Sequence, residues 1–206
     1  DLIGRQDAMA AIHAPESMGH MTKARSRLVF DELLRVQLAL VAAKAEREAT
    51  VTGVVHAVGQ RASEAVSPEL VDRFLTGLPF PLTGAQARAI DEIMADLECR
   101  SAMHRLLQGD VGSGKTLVAV AALLAAVQGG HQGALMAPTE VLAEQHHRGI
   151  AELLDGFVVS APDTLLGERP LHVALLSSRL SAPQRRMVLA QLASGEIDLA
   201  VGTHSL

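Results

Sequence analysis

Hydrophobic residues recur along the chain with two kinds of spacing, one typical of helices and the other of buried strands. Steps of three and four residues, bounded by capping residues and glycines, predict helices over 21–48, 67–75, 83–97, 115–128, 141–154 and 181–193. Thr139 is predicted to cap the helix over 141–154, and Ser181 with Gln184 has the spacing of a capping box that opens the last helix. Short apolar runs between turn residues predict strands that end at Gly109 and that cover 134–136, 157–160, 171–176 and 197–201. Because strands and helices alternate along most of the chain, the pattern predicts an α/β fold with a parallel sheet and crossover helices.

The first 66 residues have a different character. The helix over 21–48 is amphipathic, with leucine, valine and phenylalanine on one face and charged residues such as Arg27, Asp31 and Arg35 on much of the other. A long amphipathic helix of this kind has to pack against another surface. Small, weakly patterned residues follow over 49–66 and indicate a linker. The sequence therefore predicts a helical linker segment over 1–66 that precedes a second domain over 67–206.

Two acidic pairs lie inside predicted helices. Asp31–Glu32 and Asp91–Glu92 resemble the carboxylate pairs of catalytic sites, but neither is next to a predicted loop. We expect both pairs to lie on solvated helix faces.

Composition narrows the range of functions. The chain has 206 residues, of which 49% are hydrophobic and 2% aromatic, so leucine, valine, alanine and isoleucine must build the core. The single cysteine, Cys99, excludes an internal disulfide framework and favours a reducing, cytoplasmic setting. No apolar run has the length of a membrane span. The net charge of −5 provides no overall basic field, so contacts with nucleic acid would have to be local.

A phosphate-binding pattern follows the first apolar run of the second domain. Residues 109–116 fit G-x-x-x-x-G-K-[ST] between a predicted strand and a predicted helix, which is the context that the pattern requires. Its glycines let backbone N–H groups converge on phosphate oxygens at a helix N-terminus. Lys115 would then bind the β- and γ-phosphates, and the Thr116 hydroxyl would bind Mg²⁺. The predicted nucleotide-binding residues of this loop are Gly109, Asp110, Val111, Gly112, Ser113, Gly114, Lys115 and Thr116.

Two alternatives remain open for these segments. The glycine loop could be a turn ahead of a buried helix. Upstream, Thr83 and Gln86 have the spacing of a capping box that opens the helix over 83–97. The Gln86 amide also has the donor and acceptor needed to read the edge of an adenine base.

Several polar segments follow predicted strands. In a parallel sheet the carboxyl ends of the strands share one edge, and ligands bind there. We therefore expect 108–109, 137–139, 177–178 and 202–203 to lie on one face. The nine histidines are scattered, and zinc is not expected.

Taken together, these motifs resemble the first helicase domain of the RecG family, bacterial ATP-dependent helicases of superfamily 2 that act on branched DNA. Residues 80–86 are similar to the family's adenine motif, 109–116 to motif I, 137–146 to motif Ia and 201–206 to the segment before the acidic motif II. Residues from Ile12 to Gln37 resemble the segment that joins the wedge domain to the motor. The resemblance implies a RecA-like fold that uses ATP and Mg²⁺, with Lys115 and Thr116 as catalytic residues and with Phe80 and Gln86 at the adenine.

The same resemblance implies contacts with the DNA backbone of branched junctions and forks. Such contacts position a strand without reading its bases, which suits a helicase. The residues implied are Pro138, Thr139, Glu140, Gln145, Gly202, Thr203 and His204.

The chain departs from the family pattern in places. Ser177–Ser178 stands where a Thr-Gly pair is expected, and the stretch 155–169 is longer than usual. The sequence stops before the acidic pair of motif II, and the wedge domain and second motor domain are missing, so we expect the chain alone to be inactive. A sheet edge left open beside the terminal strand would favour self-association. Rival interpretations are another P-loop enzyme, such as a small-molecule kinase, and a non-enzymatic fragment.

Overall fold

The computed structural model describes residues 2–56, 70–161 and 167–204, and its contacts divide the chain into two compact units. The units are Asp1–Thr52 and Gly53–Leu206. The boundary predicted between residues 66 and 67 falls in 57–69, outside the described residues, and stays a prediction. The Ser67–Pro68 start of the predicted 67–75 helix lies in the same stretch.

The first unit is a pair of helices, α1 (Arg5–His13) and α2 (Met18–Thr50). The sequence pattern missed α1, which has neither a side-chain cap nor a strong apolar periodicity. Ser17 caps α2 by accepting a hydrogen bond from the His20 N–H. Ala8, Ala11 and Ala24 are buried between the two helices.

The middle of α2 is apolar and exposed. Within the described residues, α1 covers only the N-terminal part of α2. Asp31, expected on a solvated face, is instead mostly enclosed, with its side chain 16% exposed, because it pairs with Arg27 at 3.0 Å. The exposed large apolar side chains of this stretch are Val29, Phe30, Leu33, Leu34, Val36, Leu38, Leu40 and Val41.

The second unit is an α/β domain in which strands and helices intermix from α5 onward, with three successive strands between α6 and α7. Its sequence-predicted helices are all present, with ends within about three residues of the prediction, and the described residues add one strand, which forms a hairpin with the predicted strand over 157–160. In order, the elements are α3 (Leu70–Thr76), α4 (Gly84–Leu97), α5 (Lys115–Gln128), β1 (Gly133–Met136), α6 (Glu140–Leu153), β2 (Val158–Ser160), β3 (Glu168–Pro170), β4 (Val173–Leu176), α7 (Ala182–Ser194) and β5 (Leu199–Gly202).

Three strands form a parallel sheet in the order β1-β5-β4. The register places Met136 beside Gly202 and Gly202 beside Leu176, so the three carboxyl ends lie level. The expected open edge beside the terminal strand is wrong, because β5 is paired on both sides and all four of its residues are buried. A crossover connection inserts the last strand between earlier ones, so chain order does not give spatial order.

Helix α5 supplies much of the core beneath this sheet. Its seven buried residues include Leu124, which is fully enclosed. The helix approaches β1 closely: a Cβ added at Gly133 would lie 2.7 Å from side-chain carbons of Leu123 and Leu199. The apolar pattern predicted this buried helix correctly.

A second, two-stranded sheet occupies part of the stretch 155–169. Strands β2 and β3 are antiparallel, and Arg169 on β3 joins them to the main sheet. Both terminal nitrogens of Arg169 donate to the Asp198 carboxylate at 2.8 Å, just before β5. Asp198 also accepts from the His172 N–H at 2.8 Å. The sequence suggested β2 but not β3, because three residues made of two charged side chains and a proline carry no strand signal.

A histidine pair at the C-terminal end of α5 predicts a pH dependence of stability. His56 and His131 meet edge to face, with ring centroids 5.2 Å apart. Burial, and secondarily the positive charge of His131, lower the pKa of His56 below its ordinary value of 6.5. The folded state therefore prefers neutral His56, and stability is complete above the ordinary pKa and is lost as pH falls through the lowered one. Urea midpoints at pH 7.5 and 5.5 should differ less for His56→Gln than for the wild type; equal differences would contradict this.

Candidate functional site

The glycine loop lies on the surface, ahead of the N-terminus of α5. Residues 109–113 are exposed, and the Val111 side chain is fully exposed. Gly112 and Gly114 have φ values of 81° and 80°, a left-handed conformation that glycine adopts without strain. Gly114 is the N-cap of α5 and provides no side-chain cap, so the first N–H groups of α5 face the loop without a capping side chain. Such an N-terminus binds anions readily.

The Lys115 ammonium lies across the mouth of this loop. It donates hydrogen bonds to the carbonyl oxygens of Gly109 at 2.9 Å and Asp110 at 2.7 Å. Both partners are neutral carbonyls of the loop, which phosphate oxygens could replace with stronger, charge-assisted bonds. The lysine therefore lies inside the curve of the loop, where the phosphate-binding interpretation places it.

Thr116 is half-buried in the first turn of α5, next to Lys115. One hydroxyl is a suitable protein ligand for Mg²⁺, which usually keeps several waters and binds through the phosphates of its substrate. Within the described ranges, no group of three histidine, cysteine or acidic side chains could hold a metal ion by itself. The residues present therefore fit a magnesium ion that arrives with a nucleotide.

Gln86 makes both halves of the predicted capping box. Its backbone N–H donates to the Thr83 hydroxyl at 3.2 Å, and its side-chain oxygen accepts from the Thr83 N–H at 2.8 Å. The side-chain nitrogen also donates to the Ser113 carbonyl at 3.0 Å, which ties the start of α4 to the glycine loop. Phe80, just upstream, is half exposed. The cap is confirmed; the adenine contacts of Gln86 and Phe80 stay predictions.

Alanine substitutions at the two left-handed glycines of the loop test whether the hydrogen bond from Gln86 to Ser113 contributes to nucleotide binding. A Cβ at Gly114 would lie 2.3 Å from the Gln86 side-chain nitrogen, whereas a Cβ at Gly112 would meet nothing within 4 Å. Alanine costs about 1–2 kcal/mol of backbone strain at either position. Only Gly114→Ala should also displace Gln86, so we expect it to weaken Mg-ATP binding more than Gly112→Ala does, by roughly tenfold or more. Calorimetric titration measures this, and equal losses would show that the bridge has no role.

The segment before the loop is not a strand of the described sheet. Residues 102–109 belong to no helix or strand and are unpaired, and Leu106 is 88% exposed. Arg105 holds the segment to α4 through ion pairs with Glu92 and with Asp96. The predicted strand is therefore wrong, since an apolar run forms a strand only when a partner strand lies beside it. Glu92, expected on a solvated face, takes part in this ion pair.

Three of the four expected segments meet at the carboxyl edge of the sheet. The Ala137 N–H donates to the Gly202 carbonyl at 2.7 Å, which aligns the segments after β1 and β5. The segment after β4 lies level with them through the strand register. The fourth segment, 108–109, belongs to the unpaired stretch and is not in the sheet.

The residues implied to contact DNA differ in accessibility. Pro138, Thr139, Gln145 and His204 are exposed, and Glu140 is half-buried. Thr139 caps α6 as predicted, by accepting from the Leu142 N–H at 3.3 Å. Gly202 and Thr203 are buried, with Thr203 only 3% exposed, so in this conformation neither residue reaches the surface. The DNA contacts of all seven residues stay predictions.

A pair of contacts that the sequence did not reveal joins α6 to the segment after β4. The Glu140 carboxylate accepts a hydrogen bond from the Ser178 N–H at 3.0 Å. Arg179 donates to the Glu144 carboxylate at 2.7 Å. The Ser178 N–H is the main cause that lowers the pKa of Glu140, and the charge of Arg179 adds to it. The acid pattern E-x-x-x-E at the start of α6 was the only signal for these contacts.

Comparison with known proteins identifies the family. The sequence profile of the DEAD/DEAH box helicases matches residues 83–205. The chain is 46% identical over 200 residues to the ATP-dependent DNA helicase RecG of Bacillus subtilis, and the aligned region covers 97% of this chain and 26% of that protein. RecG of Thermotoga maritima is 38% identical over 205 residues, covering 100% of this chain and 24% of the relative.

A solved structure agrees with these sequence matches. It is described as RecG bound to a three-way DNA junction, and it superposes with a TM-score of 0.79 at 38% sequence identity. The match covers 100% of this chain and 25% of the solved chain. The chain thus spans about a quarter of the relatives that it matches. No helix of the described residues is both long and apolar enough to cross a membrane. The fold is an incomplete RecA-like α/β fold, the resemblance to RecG is confirmed, and the chain belongs to the DEAD/DEAH box helicase family.

Proposed function

We propose that this chain is the ATP-binding portion of an ATP-dependent DNA helicase that acts on branched DNA in recombination and repair. The observation that carries the proposal is the exposed glycine loop, whose left-handed glycines leave the N-terminus of α5 without a side-chain cap and whose lysine lies across the opening. Residues 1–66 would form a helical linker to the motor, and 67–206 the N-terminal part of its first helicase domain. A bacterial chromosome lies in the cytoplasm, so the protein would work in that compartment.

The loop residues would divide the work of binding the nucleotide. The backbone N–H groups of 110–116 and the Lys115 ammonium would take the β- and γ-phosphates. The Thr116 hydroxyl would hold Mg²⁺, which would neutralise charge between the phosphates when bound. Phe80 and Gln86 would contact the adenine, with Gln86 keeping its bond to the loop. Each of these groups positions or neutralises charge, which is the main requirement of phosphoryl transfer.

DNA would bind along the carboxyl edge of the sheet. Pro138, Thr139 and Gln145 are exposed at the start and in the middle of α6, and the exposed His204 follows β5. Hydroxyl groups, side-chain amides and backbone N–H groups can donate hydrogen bonds to phosphate oxygens without a strongly basic surface. This is consistent with the net charge of −5. Such contacts would not distinguish one base sequence from another.

The 206-residue chain alone should bind ATP without rapid turnover. Its loop offers the Lys115 ammonium and the hydroxyls of Ser113 and Thr116, whereas hydrolysis also needs carboxylates that position the attacking water and a cation that stabilises the transition state. Phosphate release with and without single-stranded DNA measures this. Turnover that DNA stimulates strongly would contradict the expectation.

A strand-separation assay tests the proposed function. A protein containing this chain should unwind a labelled three-way junction only with ATP and Mg²⁺. A linear duplex with the same arm sequence serves as the control substrate and should be unwound poorly. Phosphate transfer to a small-molecule acceptor, without unwinding of any DNA, would favour the rival kinase interpretation and contradict the proposal.

A further inference from the structure

The first turn of α6 joins two loops at the carboxyl edge. At its start, Thr139 caps the helix and keeps the 137–139 loop in place. One residue later Glu140 accepts the Ser178 N–H, and one turn on Glu144 accepts Arg179. Residues four apart lie on the same helix face, so both glutamates face the 177–179 loop.

The 177–179 loop is held at one end by burial and at the other by these glutamates. Ser177 is 2% exposed and follows β4 directly. Ser178 is exposed, and the Arg179 side chain is 65% exposed while bonded to Glu144. The loop therefore presents the Arg179 guanidinium to solvent, while the Ser178 side chain interacts with the Glu140 carboxylate next to the exposed Thr139.

Glu140 itself is poorly suited to contact a phosphate. Its carboxylate is charged at neutral pH, as an ordinary glutamate is, and the hydrogen bond from the Ser178 N–H lowers its pKa further. A carboxylate facing a phosphate would repel it, and the Glu140 oxygen that accepts from Ser178 is already occupied. The hydrogen bond from a backbone N–H to this charged group is of the stronger kind.

We propose that Glu140 is a positioning residue for nucleic-acid binding, which fixes the 177–179 loop against α6 so that Ser178, Arg179 and Thr139 meet the backbone of one strand as a single surface. The inference rests on the proposed function and assigns Glu140 a role different from the direct contact that the family resemblance implies. Ser177–Ser178, which departs from the expected Thr-Gly pair, would then contribute to binding because the Ser178 N–H holds the loop against Glu140.

Two substitutions at Glu140 separate positioning from contact. Glu140→Gln keeps an oxygen that can accept the Ser178 N–H, whereas Glu140→Ala removes it. We expect the alanine variant to bind a fluorescent single-stranded oligonucleotide at low salt roughly tenfold more weakly, which corresponds to about 1.4 kcal/mol. The glutamine variant should stay within about twofold of the wild type. The control is Glu152→Ala, an exposed glutamate on the same helix with the same change of charge.

The outcomes are distinct. A glutamine variant as weak as alanine, or tighter binding by both variants, would show that charge or direct contact matters and would overturn the inference. Failure of the wild type to bind any oligonucleotide would contradict the proposed function. It would also contradict the proposed role of Glu140 in binding.

Amide exchange measures the positioning without DNA. In the wild type, the Ser178 N–H should be protected; Glu140→Ala should speed its exchange, while Glu140→Gln and Glu152→Ala should leave it slow. Unchanged exchange in Glu140→Ala would overturn the inference even if DNA binds well. Unfolding midpoints of all variants, measured in parallel, separate loss of the loop contact from loss of the fold.

Discussion

Replacement of Lys115 by alanine is expected to abolish measurable binding of Mg-ATP. The ammonium is the one cationic group that lies within the loop, and it is bonded there to two neutral carbonyls that phosphate oxygens can replace. A hydrogen bond to a charged group contributes about 1.5–3 kcal/mol, and two such bonds would change the affinity by roughly a hundredfold or more. Calorimetric titration of wild-type and variant proteins with Mg-ATP measures the loss.

A second lysine provides the control for this experiment. Lys44 lies on the exposed part of α2, where it pairs only loosely with Glu48 at 3.6 Å. Lys44→Ala makes the same change of charge away from the loop and should bind Mg-ATP like the wild type. Identical isotherms for Lys115→Ala and the wild type would show that the ammonium does not bind the nucleotide.

The second large effect concerns stability. Asp198→Ala would leave the Arg169 guanidinium without its bidentate partner and the His172 N–H without its acceptor. Asp198 is 6% exposed and the Arg169 side chain 25% exposed. Breaking a buried pair costs about 3–5 kcal/mol, and the partial exposure of Arg169 places the expected loss near the lower end, about 3 kcal/mol. The urea midpoint should fall accordingly.

An exposed carboxylate gives the comparison. Glu92→Ala removes one partner of the Arg105 ion pairs, but the Glu92 side chain is 61% exposed, so the urea midpoint should move far less. If Asp198→Ala and Glu92→Ala shifted the midpoint equally, the link between the β2–β3 hairpin and the main sheet would not stabilise the fold.

Local signals in the sequence predicted the helices of the second unit well. The Thr83–Gln86 and Ser181–Gln184 capping boxes and the Thr139 cap depend on side chains that bond to backbone groups three residues away, and all three are present. The phosphate-binding pattern likewise predicted left-handed glycines ahead of α5. These features need no knowledge of distant residues, which is why a single sequence is enough to find them.

Long-range contacts were beyond the sequence. The Ser178–Glu140 bond joins residues 38 apart, and the Arg169–Asp198 pair joins residues 29 apart. Neither pairing has a local pattern, since an isolated arginine or glutamate is most often solvated. The middle position of β5 was missed for a similar reason, because crossover connections decide strand order and the apolar runs do not encode it.

Gln86 shows how two interpretations of one residue can both have a basis. Sequence spacing predicted a cap, and the family resemblance implied a contact with adenine. The structure confirms the cap and adds the bond from the Gln86 side chain to Ser113, which places the amide at the glycine loop. The single amide thus connects the helix start to the loop, and its contact with a base stays to be tested.

The measurement that tests the central claim most directly is an amide-resolved NMR titration of the wild-type chain with Mg-ATP. If the glycine loop binds the triphosphate, the largest shifts should occur at the amides of residues 109–116, with smaller shifts at Gln86, and Lys115→Ala should remove them. Shifts confined to other parts of the chain, with the loop amides unchanged at saturating nucleotide, would contradict nucleotide binding at this loop and the helicase interpretation built on it.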